Sequence, residues 1–542
     1  MTPAPCQPPR LHTRRDFLKL VGAGTAGLGV ASRSRGEAAP GSRPNIVLVM
    51  ADDMGFSDIG CYGGEINTPN LNKLAGNGLR FTQLYNTARC CPTRASLLTG
   101  LYSHQAGVGH MVSDSGFDGY RGDLSKSCVT IAEALKPAGY GTYMCGKWHV
   151  TKFTKPEGPQ ENWPCQRGFD HYFGTLVGAG SYWTPNALYR DNRPVTDFPK
   201  GFYYTDAISD NAAAFIQQHH QSAPAKPLFL YVAYTCSHWP LHAPKEDVAR
   251  YRGKYLKGWD ALRAERHARQ LEMGLVDRRW DLTPSDTGAT AWDEVDAAKK
   301  DNMDLRMAVY AAQIDRMDQG LGRIVAALQQ TARLDNTLFL FLADNGGCAE
   351  GGPWGFERKE NGAIGEDSSF ASYGLSWANA SNTPFRLYKH WVHEGGISSP
   401  LVVHWPARVK ARGELRSQPG HVIDLMATCV DVAEAKYPAE YSGSKITPLE
   451  GKSLVPAFDN QPLDRDALYW EHEGNKAVRR GKWKLVLKHG GEWELYDLEA
   501  DRTELHDLAA DQPELVKELS GRWDAWAKRC GVQPWPVKGG KQ

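Results

Sequence analysis

The sequence shows almost no imbalance of charge: 63 lysines and arginines stand against 62 aspartates and glutamates, a formal net of +1. A main partner such as nucleic acid or an anionic membrane surface calls for a basic excess, so neither is expected. The chain also lacks an apolar run of the roughly 20 residues that a bilayer demands, so no stable membrane span is expected. Its eleven cysteines contain no CxxC pair and no zinc-type spacing, which argues against thiol redox chemistry and a zinc fold. Internal repeats and long low-complexity segments are missing too. What remains is a chain of 542 residues, long enough to bury one large core and a smaller one without staples.

Short apolar runs stand at Ile46 to Met50, Leu228 to Ala233, Leu338 to Leu342 and Leu401 to His404. Runs of that length, rich in Val, Leu and Phe, suit strands buried on both faces. Helical patterns lie between them. Met303, Met307, Ala311, Ile314, Met317, Leu321, Ile324 and Leu328 recur at three- and four-residue steps along one long helix. Thr130 with Glu133 reads as a capping box, opening a helix that stops near Gly139 before a strand from Tyr140 to Cys145. Strands alternating with helices predict an α/β fold, a large and mostly parallel sheet sandwiched by helices, over residues 39–455. The charged, tryptophan-dotted residues 245–295 read as helices and loops laid over it. Residues 456–542 predict a smaller antiparallel sheet plus helix: Lys482 to Leu487 and Trp493 to Leu498 alternate like strands, and a helix near Asp511 turns Leu515, Leu519, Trp523 and Trp526 inward.

Ligands of open α/β sheets gather at the carboxyl ends of strands. Asp52 and Asp53 directly follow the first apolar run, and Asp344 and Asn345 follow the run ending at Leu342. Either pair alone reads as an ordinary polar loop. Two such pairs make an all-oxygen ligand set, which favours a hard cation, calcium or magnesium, over zinc. In the segment from Arg89 to Gly100, Pro92 can start a helix and Gly100 can end it, which puts Cys90 just before the helix N-terminus. Amides and dipole there favour an anion by ~0.3–1 kcal/mol. Taken without context, Cys90 reads equally as a structural thiol, half of a redox pair with Cys91, or a catalytic group.

The pattern Cys-x-Pro-x-Arg at Cys90 to Arg94, followed by Leu97-Leu98-Thr99-Gly100, resembles the signature of type I, formylglycine-dependent sulfatases of the alkaline-phosphatase-like superfamily. Asp52-Asp53, Gly146-Lys147-Trp148-His149, Ser237-His238-Trp239-Pro240, Asp344-Asn345-Gly346 and Lys389 to Gly396 follow in that family's order. The likeness to bacterial arylsulfatases extends to Trp470 to Asn475. It implies hydrolysis of aryl or carbohydrate sulfate monoesters, with Cys90 oxidised to formylglycine (3-oxoalanine) by formylglycine-generating enzyme. It places Cys90, Asp52, Asp53, Asp344 and Asn345 around the cation, calcium ahead of magnesium. Hydrated formylglycine carries two hydroxyls on one carbon, so one can attack sulfur and the other can later expel sulfate. By the family pattern Asp344 helps activate the attacking hydroxyl, and Arg94 and Lys147 stabilise the hydrated aldehyde. His149 is then the base for elimination, while His238 and Lys389 contact the ester and protonate its leaving oxygen. Arg386 and the two histidines near Lys389 also suit an anion. Cys91 departs from the commoner pattern, as a competitor for oxidation or a disulfide partner.

Two rival readings follow from the same residues: a phosphodiesterase or phosphonate monoester hydrolase of the superfamily, and a sulfated-glycan-binding protein without turnover. Pocket walls are expected from residues 181–185, 245–295 and 352–382, whose tryptophans and tyrosines suit an aryl ring or a sugar. At the N-terminus, Thr13-Arg14-Arg15-Asp16-Phe17-Leu18-Lys19 and the Gly/Ala-rich stretch after it resemble a twin-arginine signal peptide over residues 1–38. The resemblance implies passage through the twin-arginine translocase, already folded, to the periplasm or beyond. An oxidising destination permits disulfides; loss of Cys6 and conversion of Cys90 leave nine cysteines of the eleven, so at least one stays unpaired within the chain.

Overall fold

Alternate residues of the first strand show how the chain is layered. In Asn45–Ala51, Val47, Val49 and Ala51 enter one hydrophobic core while Ile46, Leu48 and Met50 enter another. A strand buried on both faces needs cover on both, and helices supply it. The computed structural model describes residues 43–358 and 362–538, so the segment read as an export signal lies outside the described residues.

Asn45–Ala51 sits mid-sheet between Leu228–Ala233 and Thr337–Ala343, parallel to both; Gly141–Gly146 and His171–Thr175 continue the parallel set beyond Leu228–Ala233. The sheet has eleven strands among the described residues. It is mixed rather than uniformly parallel. Ser398–His404, which contains the run from Leu401, lies antiparallel between Thr337–Ala343 and Leu79–Tyr85.

The long helix, Ala297–Gln330, is capped by Asp296 and packs along Tyr204–Ser222. The capping box is present, with Thr130 Oγ1 accepting from Glu133 N at 3.1 Å and Glu133 Oε2 accepting from Thr130 N at 2.7 Å. At the C-terminal end Leu468–His472, Asn475–Arg480, Trp483–Leu487 and Trp493–Asp497 form an antiparallel sheet. One face, with Trp470, Ala477, Val486 and Tyr496, packs on Tyr85, Ala88, Val392 and Ile397. The other, with Val478, Leu485 and Leu495, packs on Leu519, Trp523 and Trp526 of the helix Pro513–Cys530, while Leu515 stays part-exposed. The ten described cysteines are all free thiols. Among the described residues no helix is long and apolar enough to cross a membrane.

Candidate active site

Strand register brings the distant motifs level. Met50 and Gly146 both pair with Ala233, and Ala51 pairs with Ala343. Asp52, Lys147 and Asp344 therefore leave the sheet side by side at its carboxyl edge, and the loop bearing His238 leaves after Leu228–Ala233. Gly146 is required at this convergence: its φ is 103°, and a Cβ would lie 1.9 Å from the carbonyl oxygen of Ala233. Asp53 and His149 adopt left-handed backbones as well, with φ of 58° and 52°. Such conformations cost a non-glycine residue on the order of 1 kcal/mol, and surrounding structure must hold them.

Arg94 ties the two acidic loops together from the helix Cys90–Thr99, all of whose residues are buried. Its Nη2 donates to Asp52 Oδ2 at 3.1 Å and to Asp344 Oδ2 at 2.8 Å, and its Nη1 donates to the carbonyl of Lys147 at 3.2 Å. Lys147 Nζ donates to Asp52 Oδ2 at 2.5 Å. Asp53 faces the other side. It accepts from Asn345 Nδ2 at 2.7 Å and Lys389 Nζ at 3.0 Å, with His238 Nε2 at 3.5 Å. Burial alone would raise the pKa of Asp53, but the charges of His238 and Lys389 hold it well below the usual carboxylate range. Burial, then the charge of Asp52, pushes Asp344 well above that range.

Two acceptors in this cluster, Asp52 Oδ1 and Asn345 Oδ1, are buried and have no hydrogen-bond partner. An unsatisfied buried acceptor costs about 1–3 kcal/mol, so each such atom calls for an explanation. Hard oxygen donors converging from two loops fit a hard divalent cation, and a cation is what would satisfy both atoms.

Cys90 is the first residue of its helix. Donor atoms of Cys90, Cys91 and His149 lie within 4.8 Å of one another, and Cys91 Sγ is 3.4 Å from each ring nitrogen of His149. The hydrogen bond from Cys91, joined by the charges of Lys147 and His149 against burial, holds the Cys90 thiol well below its ordinary pKa. Burial pushes Cys91 the opposite way. The neighbouring thiols are therefore chemically distinct, and no disulfide joins them. Burial keeps His149 and His238 below the ordinary histidine value. His238 Nδ1 bonds the carbonyl of Trp239 at 2.6 Å, which leaves Nε2 facing Lys389 Nζ at 3.3 Å.

Asp52, Asp53, Cys90, Arg94, Lys147, His149, His238, Asp344, Asn345 and Lys389 thus share one edge of the sheet. Other sequence expectations need correction. Arg386 does not face the site: it pairs with Glu494 and also donates to Tyr496 and the carbonyl of Glu504. His390 and His393 face Glu473 and Glu494 instead of the site, so Lys389 alone enters from that segment. Trp259 and Trp292 of the 245–295 region are buried against Trp377 and one another rather than lining a pocket. Trp239, next to His238, packs instead with Phe356 and Phe370. His242 is structural, bonded through Nε2 to the carbonyl of Ser369 at 2.7 Å. Sequence reasoning missed Glu350, which accepts from Trp239 Nε1 at 2.7 Å and lies 3.2 Å from Arg89 and 3.7 Å from Lys389. Only its place in the loop after Asp344 could have marked it.

Known proteins share this layout. The sulfatase family model matches residues 44–435, and the model described as N-sulphoglucosamine sulphohydrolase, C-terminal, matches residues 385–526. An arylsulfatase of Klebsiella aerogenes is 33% identical over 452 residues, covering 77% of this chain and 92% of its own. An uncharacterized sulfatase of Schizosaccharomyces pombe is 32% identical over 488 residues, covering 83% of this chain and 86% of its own. The crystal structure of Ps i-CgsB in complex with k-i-k-neocarrahexaose superposes with a TM-score of 0.66 at 26% identity, over 90% of this chain and 93% of that one. Because the family match takes in every strand whose carboxyl end builds the site, the chain belongs to the sulfatase family and is a sulfuric ester hydrolase of the alkaline-phosphatase-like fold.

Proposed function

We propose that the chain hydrolyses sulfate monoesters of aryl or carbohydrate alcohols, with Cys90 converted to formylglycine and calcium held by Asp52, Asp53, Asp344 and Asn345. The observation that carries this reading is the meeting of an acidic helix-N-terminal thiol with two carboxylate loops whose Asp52 Oδ1 and Asn345 Oδ1 are unsatisfied. When present, formylglycine supplies a hydroxyl nucleophile that regenerates itself, and the cation supplies positive charge beside the sulfate oxygens.

The rest falls to the chain's own side chains. Arg94 and Lys147 set the Asp52 and Asp344 carboxylates in place and add fixed positive charge, which a sulfate ester needs before an anionic nucleophile can approach. His149, kept neutral by burial beside Cys90, accepts a proton at a ring nitrogen. A proton held between Lys389 Nζ and His238 Nε2 is available to the leaving oxygen. The arylsulfatase relative and the neocarrahexaose complex support an aryl or saccharide leaving group. On this reading formylglycine-generating enzyme acts on Cys90, and the twin-arginine segment directs the chain to the periplasm or beyond.

Turnover of matched esters tests the specificity. Faster cleavage of a sulfate monoester than of the corresponding phosphate monoester and diester is expected. Preference for the phosphodiester would overturn sulfate specificity, and saturable binding of a sulfated sugar with no sulfate release would leave a binding protein.

A further inference from the structure

A second convergence of metal-type ligands lies outside the catalytic cluster. The strands Leu468–His472 and Asn475–Arg480 are joined by Glu473 and Gly474, with φ of 51° and 80°. A two-residue hairpin turn with both φ positive favours Asn, Asp or Gly, so a glutamate there is held by something other than turn preference. Its carboxylate is a hub. Glu473 Oε1 lies 2.7 Å from His110 Nε2 and 3.6 Å from His472 Nε2, and Oε2 lies 2.7 Å from His390 Nδ1.

The three rings come from three separate stretches of chain and still meet. His110 stacks on His472 at 5.6 Å, and His390 meets His472 edge-on at 5.6 Å. Donor atoms of His110, His472 and Glu473 all lie within 4.8 Å of one another. His472 is fully buried, and neither of its ring nitrogens has a hydrogen-bond partner. A ring nitrogen left without a partner is free to offer its lone pair to a metal ion. Glu473 Oε1, at 3.6 Å, lies beyond hydrogen-bond reach of it.

We propose that His110, His472 and Glu473, with His390 supporting the carboxylate through its other oxygen, form a second metal site, distinct from the oxygen-donor site and selective for an imidazole-preferring ion such as zinc. Two imidazoles and one carboxylate, with a fourth position left for water, suit zinc and neighbouring transition metals, whereas calcium takes oxygen ligands. An anionic ligand, such as a further sulfate on a substrate, is opposed by the carboxylate at the centre. The site borders the catalytic one: His390 follows Lys389, and Met111, after His110, has its sulfur 3.8 Å from Cys91 Sγ. A bound ion would hold the backbone that carries Lys389 and the Met111 side chain packed against Cys91.

The test uses the whole chain, stripped of metal with a chelator and given excess calcium to fill the oxygen-donor site. Titration with zinc should then show one ion bound per chain. Glu473→Gln and His110→Ala should each weaken it by more than the roughly tenfold to hundredfold that follows loss of a merely supporting group. His110 is part-exposed on a loop, so its variant stands in if Glu473→Gln does not fold. Cobalt in place of zinc should show visible bands of a four-coordinate nitrogen and oxygen site without thiolate charge transfer. Absence of zinc binding, binding unchanged in both variants, or a thiolate band placing the ion on Cys90, Cys91 and His149 would each overturn the proposal.

Discussion

Two clusters of buried charge flank the segment from Lys389 to Glu394, and they are completed differently. Around Glu394 both carboxylate oxygens are met within the chain, although Arg502 Nη1 is left without a hydrogen-bond partner. Lys484 Nζ lies 2.9 Å from Glu394 Oε1 and 2.7 Å from Glu504 Oε1; Arg502 Nε, Ser398 Oγ and Tyr85 Oη reach Glu394 Oε2 at 3.0, 2.8 and 3.1 Å. The Arg502 guanidinium also lies over the Phe385 ring at 4.7 Å. Around Asp52 and Asn345 two acceptors stay open. The saturated Glu394 carboxylate fixes how the C-terminal sheet meets the catalytic loops, since removing one partner strands a buried charge. An open cluster is kept for a ligand, and natural proteins leave such sites unfinished where function needs them.

That difference predicts opposite consequences of mutation. Cys90→Ala should lower kcat by roughly 10⁴–10⁶-fold, the scale of deleting a nucleophile, while the melting temperature stays as in the parent. Steady-state rates and a thermal melt on the same sample check both halves. His238→Ala should cost ~10²–10⁴-fold on esters with poor leaving groups and much less on activated aryl sulfates. Equal losses on both would deny it the role of acid. Lys484→Met belongs to the other cluster: it should cost about 3–5 kcal/mol of folding stability, read from denaturant melts, with KM unchanged. Burial would raise Glu394, but Lys484 and Arg502 hold its pKa at about 2, down from 4.5. A depressed carboxylate contributes stability that is full above 4.5 and is lost as pH falls towards about 2, so acid should erode the parent over that window. Lys484→Met should flatten the dependence, since its Glu394 is no longer held down by that ammonium.

The site was legible in the sequence because its residues sit one step beyond apolar strands, and strand ends are readable from apolar runs. Direction and facing were not. The run from Leu401 to His404 looks the same whether its neighbours run parallel or antiparallel, because a fully buried strand shows no alternation. Leu79–Tyr85 mixes Arg80, Thr82 and Gln83 among its apolar residues and shows no clear run. Arg386, Lys389, His390 and His393 are close in sequence, yet Leu387 and His390 have φ of 63° and 89°, which turn the chain between them. Those reversals send Lys389 to Asp53 and its neighbours to glutamates of the C-terminal sheet. The tryptophans at 259 and 292 went to the core because large rings gain most from burial, which composition alone does not apportion.

The decisive measurement is the mass of the peptide that carries residue 90, taken from enzyme turning over a sulfate ester. Conversion of the Cys90 thiol to an aldehyde should lower that mass by about eighteen units, with Cys91 unchanged. Active enzyme in which Cys90 is wholly an unmodified thiol would contradict the mechanism.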